Sequence, residues 1–218
     1  LLGIDATATT NCPPVTIRGT GRFPGTATRI DAALSSQFVS AILMLSPCGR
    51  EPVGVAIDGS GEIGARGYID LTLEAMTRFG ARYRILDERT WRVDATGYTA
   101  TDFAIEPDAS AATYIWAAEA LTGGRLSFLT PMDTSTQPDA RARDVIRRFP
   151  HLPATIDGAQ MQDAVPTLAI LAAFNAHPVR FVGIANLRVK ECDRIRALAV
   201  GLNTLSPGLA QELGDDLL

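Results

Sequence analysis

One pattern recurs along this 218-residue chain and limits what it can fold into. A largely apolar helical segment is followed by a turn signal, a short β-rich run and a second, amphipathic helix. The apolar segments are residues 31–44, 106–118 and 161–173, each opening near an acidic or hydroxyl residue suited to an N-cap. The β-rich runs are residues 53–57, 126–129 and 179–182. The amphipathic helices are residues 68–79, 139–149 and 190–205, with Ile69, Leu73 and Met76 sharing a face in the first. Hairpin strands at 81–86 and 91–95 close the first unit. The period is roughly 55 to 75 residues, longer than common solenoid repeats. Helices apolar on all sides are normally covered on all sides. The first helices of the units are therefore expected to pack together inside, with sheets and second helices around them. The last unit is expected to stop after its second helix, without hairpin strands.

Composition agrees with a globular chain: 46% hydrophobic and 20% charged residues can build a sizeable core, as one large or two modest domains. Polar, turn-prone residues at 101–107 mark a candidate hinge. A net charge of −4 excludes a general nucleic-acid footprint. No apolar run approaches the roughly 20 residues that span a bilayer, so no membrane association is expected. The start, Leu1-Leu2-Gly3-Ile4, has no Met, basic segment or long apolar stretch, which reads as a trimmed chain without a signal peptide. Cys12, Cys48 and Cys192 are too few and scattered for a disulfide scaffold, and a reducing cytoplasm is expected. His151 and His177 are isolated, so no metal site is expected. Gly19-Thr20-Gly21 and Gly59-Ser60-Gly61 read as turns, not as phosphate-binding fingerprints.

Three polar groupings stand out against this background. Ser35-Ser36-Gln37 opens the first helix; one Ser suffices as a cap, but hydroxyls, an amide and free N–H groups at a helix start also form an anion site. Asp163 opens the third helix, either as an N-cap or as a carboxylate beside a substrate hydroxyl, and Asp108 is its counterpart in the second unit. The run Arg188-Val189-Lys190-Glu191-Cys192-Asp193-Arg194 carries five charges. If it is helical, Lys190 and Arg194 repel at i,i+4, and a shared anion would remove the conflict. Glu191, held between cations, is expected to stay ionised and to be able to carry a proton. Cys192 reads as a buried spacer. Asn186 either caps the end of the preceding strand or bonds a substrate oxygen.

These residues, with Tyr68 to Leu73, Glu106 to Ser110 and Asp163 to Thr167, resemble the signature of the enolpyruvyl transferases. Ser-Ser-Gln and Arg-x-Lys-Glu-x-Asp-Arg favour the 5-enolpyruvylshikimate-3-phosphate synthase family. The resemblance implies an α/β (α+β) fold of repeated βαβαββ units with buried parallel helices in two similar domains. Residues 1–104 would be part of the first domain and 105–218 part of the second. It implies transfer of the enolpyruvyl group of phosphoenolpyruvate to the 5-hydroxyl of shikimate 3-phosphate, with release of phosphate. It also implies a cytoplasmic monomer of the shikimate pathway, the target of glyphosate, that needs no cofactor or metal. Ser35, Ser36, Gln37, Tyr68, Asp163, Asn186 and Lys190 would hold shikimate 3-phosphate. Asp163 and Glu191 would be catalytic, Glu191 moving protons at the methylene carbon, and Arg194 would bind phosphoenolpyruvate.

Two departures accompany the resemblance. Ala65-Arg66-Gly67 stands where the family commonly has Ser-Lys-Pro ahead of the tyrosine, which removes one hydroxyl for the substrate phosphate. Basic segments of the family are expected upstream of Leu1 and beyond Leu218, so the chain on its own is expected to be weak or inactive. The alternatives are the related UDP-N-acetylglucosamine enolpyruvyl transferase and a non-catalytic relative that binds a phosphorylated ligand.

Overall fold

The computed structural model describes residues 3–10, 12–19, 21, 26–32, 35–61, 63–128, 132 and 135–218. Leu1, Leu2, Thr20, Ala33, Leu34 and Leu129, which entered the readings above, lie outside the described residues. The chain divides into two compact units: residues 1–63 with 68–103, and residues 64–67 with 104–218.

The first unit opens with an antiparallel ribbon, β1 (Asp5–Ala8) and β2 (Val15–Arg18). Then come β3 (Thr28–Asp31), α1 (Gln37–Leu45), β4 (Val53–Asp58), α2 (Gly67–Arg78), β5 (Tyr83–Asp87) and β6 (Thr90–Val93). Strand order in the sheet is β3-β4-β6-β5: β3 and β4 are parallel, as the α1 crossover requires, and the β5–β6 hairpin adds antiparallel strands. Alternation along β4 buries Val53, Val55 and Ile57 against α1 and α2. These pack with Val39, Leu43, Ile69, Leu73, Met76 and the fully buried Trp91.

The second unit contains α3 (Ala109–Thr122), α4 (Ala142–Ile146), β7 (Thr155–Asp157), α5 (Val165–Ala172), β8 (Arg180–Val182), α6 (Arg194–Leu205), β9 (Glu212–Leu213) and β10 (Asp216–Leu217). Its sheet order is β7-β8-β10-β9, with β7 and β8 parallel and the other pairings antiparallel. The path β7-α5-β8-α6-β9-β10 therefore repeats β3-α1-β4-α2-β5-β6 element for element. Both are βαβαββ units, and the fold class is α/β with repeated units of this kind. The second core gathers Trp116, Leu152, Leu168, Leu171, Phe181, Ile184, Leu187 and Ile195.

Several expectations are corrected. The final unit does carry its hairpin, β9–β10, turning at Gly214 with φ of 64°; strands of two residues are too short to show an alternating pattern. Asp31 ends strand β3 instead of opening a helix, because Thr28 and Ile30 are buried in register against β4. Residues 126–128 form no strand: the Leu126 N–H donates to the Glu119 carboxylate at 2.6 Å, and Phe128 packs edge-on to Trp116. The strand expected at 179–182 is Arg180–Val182. The first-type helices are not covered on all sides, since Phe38 and Met44 on α1 and Tyr114 on α3 are exposed. Among the described residues no helix is long and apolar enough to cross a membrane.

Candidate functional site

In both units the residues singled out by sequence stand in the links that follow the two parallel strands. Open α/β sheets bind ligands outside the carboxyl ends of such strands, where helix starts bring free N–H groups together. In the first unit, Ser35, Ser36 and Gln37 lie between β3 and α1, and Tyr68 lies after β4 at the start of α2. In the second, Asp163 lies between β7 and α5, while Asn186, Lys190, Glu191 and Arg194 lie between β8 and the first residue of α6.

At the start of α1, the Gln37 N–H donates to the Ser35 hydroxyl at 3.2 Å. Ser36 occupies the cap position in helical conformation, is 4% exposed and makes no side-chain cap hydrogen bond. The first turn of α1 has no acidic residue, so its dipole meets no fixed anion there. Thr72 ties the two helices: its hydroxyl donates to the Ser40 hydroxyl at 2.9 Å and lies 2.7 Å from the Tyr68 carbonyl. One turn back from this link stand Ser36 on α1 and Tyr68 on α2. Ala65 has φ of 52°, and its N–H donates to the Ala159 carbonyl at 2.8 Å within the second unit. The Arg66 N–H donates to the Gln160 side chain at 3.0 Å.

The second unit draws four of its singled-out residues into one ion-pair cluster. Arg194 Nε and Nη2 donate to the two oxygens of Glu191 at 2.9 and 2.8 Å, a bidentate fork. Its Nη1 donates to Asp163 Oδ1 at 2.8 Å, and Lys190 Nζ lies 3.7 Å from the same oxygen. The shared anion that reconciles Lys190 with Arg194 is thus the protein's own Asp163. Asp163 makes no capping bond, since α5 is preceded by a 3-10 turn and capped at Ala164. Its counterpart Asp108 does cap α3, accepting from the Ala111 N–H at 3.1 Å. Geometry thus separates two aspartates that sequence left equivalent.

Helix α6 begins at Arg194, not at Lys190. Asp193 is the cap: it is extended and accepts from the Arg196 N–H at 3.0 Å, which leaves Lys190 and Glu191 on the approach to the helix. Cys192 is exposed, contrary to the buried-spacer reading, because it too precedes the helix. Asn186 donates to Gln162 Oε1, and Gln162, itself buried, donates on to the Ala159 carbonyl at 3.2 Å. Sequence reasoning passed over Gln162, although its place beside Asp163 was a signal.

Electrostatics follow from these contacts. The Glu191 carboxyl is held below its ordinary pKa, first by its own backbone N–H and then by Arg194. Asp193 is lowered too, chiefly by the Arg196 N–H. Burial pulls the Arg194 guanidinium down, but its hydrogen bonds to Glu191 and Asp163 outweigh that and leave it raised. Among the described residues, no group of three or more His, Cys, Asp or Glu side chains is placed to hold a metal ion.

Comparison with known proteins gives a consistent result. The family model described as EPSP synthase (3-phosphoshikimate 1-carboxyvinyltransferase) matches residues 2–217. A 3-phosphoshikimate 1-carboxyvinyltransferase of Rhizobium leguminosarum bv. trifolii is 64% identical over 217 residues, covering 100% of this chain and 51% of that protein. One from Pseudomonas savastanoi pv. phaseolicola is 61% identical, covering 100% of this chain and 52% of its own length. The solved EPSP synthase of Acinetobacter baumannii superposes with a TM-score of 0.65 at 20% identity, over 99% of this chain and 54% of that one, a likeness of fold. The chain spans about half the length of the curated relatives it matches.

Proposed function

The chain belongs to the EPSP synthase (3-phosphoshikimate 1-carboxyvinyltransferase) family, and from that premise we propose that it supplies much of the active site of an enolpyruvyl transferase. The reaction joins the 5-hydroxyl of shikimate 3-phosphate to C2 of phosphoenolpyruvate and releases inorganic phosphate. The observation that carries the reading is the cluster of Asp163, Lys190, Glu191 and Arg194 beyond the parallel strands of the second unit. It holds two carboxylates for proton movement and two cations for an anionic ligand. Residues 1–104 are assigned to the first domain of the transferase and 105–218 to the second.

Each residue has a chemical task. Ser35, Ser36 and Gln37 offer hydroxyls, an amide and helix N–H groups to the phosphate of shikimate 3-phosphate, and Tyr68 lies against its ring. Asn186 and Lys190 bond the ring oxygens, and Asp163 accepts the proton of the 5-hydroxyl as its oxygen adds to C2. Glu191 delivers a proton to C3, forming a methyl group. It then takes one back as the bond from C2 to the phosphate oxygen breaks, and the proton held by Asp163 passes to the departing phosphate, so both carboxylates end as they began. Arg194 binds the carboxylate or phosphate of phosphoenolpyruvate, for which a guanidinium fork is suited.

The geometry of the ion-pair cluster adds a step to this scheme. Each of the three nitrogens of Arg194 already donates to Glu191 or Asp163. An incoming anion exchanges with Glu191 at Arg194. Glu191 then loses a counter-ion that lowers its pKa, and its readiness to hold a proton rises. Substrate binding thereby prepares the acid.

The protein is proposed to act as a cytoplasmic monomer. The test is calorimetry and phosphate release with the full-length protein, supplied with phosphoenolpyruvate and either shikimate 3-phosphate or UDP-N-acetylglucosamine. Turnover with shikimate 3-phosphate is expected; preference for the UDP-sugar would reject the assignment, and binding without turnover would favour a non-catalytic relative.

A further inference from the structure

A charged motif residue with no assigned task is Arg188, in the 3-10 turn Ala185–Val189 that follows β8. Its guanidinium is the hub of a second ion-pair cluster. Nη1 donates to Asp193 Oδ2 at 2.8 Å and to Glu212 Oε2 at 3.0 Å, Nε donates to Asp215 Oδ1 at 2.9 Å, and Nη2 donates to the Gly214 carbonyl. These acceptors come from two places distant in sequence: the cap of α6 and the β9–β10 hairpin. Its side chain is 25% exposed, so the cluster is partly shielded from water.

Asp193 divides its oxygens. Oδ1 caps α6 at Arg196, while Oδ2 is held by Arg188. The next residue is Arg194, which must reach Asp163 and Glu191 at the same time. Burial of Ile195, Ala199 and Leu202 seats the body of α6 against the core. Apolar contacts of that kind resist translation better than rotation or fraying of the first turn, where N–H groups lack partners. The Arg188–Asp193 bond fixes that turn from outside the helix.

We propose that Arg188 is a positioning residue: by holding the Asp193 cap to the β9–β10 hairpin it sets the direction in which Arg194 presents its guanidinium to the anionic substrate. This rests on the function proposed above. A lysine could neutralise part of the acidic cluster but cannot reach four acceptors in a planar fork.

The experiment compares Arg188→Ala, Arg188→Lys, Asp193→Ser and Arg180→Ala in the full-length protein. Arg180 pairs with Asp216 at 2.6 Å, bracing β8 against β10 without touching Asp193, so it controls for loss of structure. Arg188→Ala and Asp193→Ser should raise KM for phosphoenolpyruvate about tenfold, more than KM for shikimate 3-phosphate. Ser retains a cap but cannot pair with Arg188. Arg188→Lys should recover melting temperature but not KM. Arg180→Ala should lower melting temperature with KM unchanged. Equal KM values in Arg188→Lys, Asp193→Ser and the parent would overturn the proposal, even if Arg188→Ala fails to fold. A parent that does not turn over rejects the assigned function instead. The inference is then read from the Arg194 Nε–H resonance, which Asp193→Ser should shift and Arg180→Ala should not; no shift with Asp193→Ser would refute it.

Discussion

Glu191 and Asp163 share one guanidinium but bond it differently, so their substitution should separate two functions. Glu191→Gln removes the proposed proton carrier but retains a polar side chain. Turnover of the full-length protein should fall by about 10²–10⁴-fold, with shikimate 3-phosphate affinity within about threefold of the parent. Unchanged turnover would end the proton-transfer assignment. Asp163→Asn takes one negative charge from a cluster of two carboxylates and two cations. Phosphoenolpyruvate should then bind more tightly by calorimetry while turnover drops, because an internal competitor for Arg194 is weakened. A second residue-scale expectation concerns pH. The folded pKa values of Glu191 and Asp193 are depressed, so the stability these groups contribute is present above the ordinary carboxylate range near about 4. It is lost as pH falls through their lower folded values. Denaturant midpoints should therefore be flat from pH 7 to 5 and decline below that, less steeply in an Asp193→Asn variant. At Ala65, φ of 52° is a conformation that glycine adopts freely. Ala65→Gly should raise stability by about 0.5–1 kcal/mol, read by thermal denaturation.

Elements hold these residues through parallel-strand pairing and a small number of buried contacts. Phe181 on β8 is 2% exposed and pairs with Ile156 of β7 and Leu217 of β10. Phe181→Ala should cost about 3–5 kcal/mol in denaturant unfolding, whereas Tyr114→Ala, at a residue 62% exposed, should stay within about 0.5 kcal/mol. Helices α3 and α5 share a buried hydroxyl pair, Thr113 and Thr167, at 2.9 Å. Thr113→Val alone strands the Thr167 hydroxyl and should cost about 1–3 kcal/mol, while replacing both by Val should cost less than the single changes sum to. Most helices were legible from sequence because their apolar spacing is periodic, as in Ile69, Leu73 and Met76, but the helix expected at 139–149 is a 3-10 turn, Pro138–Arg141, followed by the five-residue α4. Strands β3, β7, β9 and β10 were not, because strands of two to four residues carry few alternations; β6 and β8, as short, were read from β-favouring residues.

For the whole molecule, the repeat was visible in sequence, but its phase was not. The recurrence of helix, strand and helix holds for two of the three segments read, since residues 126–128 form no strand; that β3 and β7 are the opening strands of the βαβαββ repeats emerged only when they found partners in β4 and β8. Residues 98–105 are exposed and outside regular elements, next to the division between the two compact units. Thermolysin should cut there first, near Phe103 and Ile105. First cleavage within either four-stranded sheet would contradict the division. Sequence alone determined most of the helical framework and the identity of the charged run, because periodicity and residue type are local properties, while the class of fold was what the family resemblance implied. Tertiary structure decided which charges meet. Asp163 and Arg194 are far apart in sequence and bonded at 2.8 Å, Arg188 reaches Asp215 at the other end of the unit, and Asp108 turns out to be only a cap. Those outcomes depend on strand register and on where each helix starts, which long-range pairing sets and no local pattern encodes.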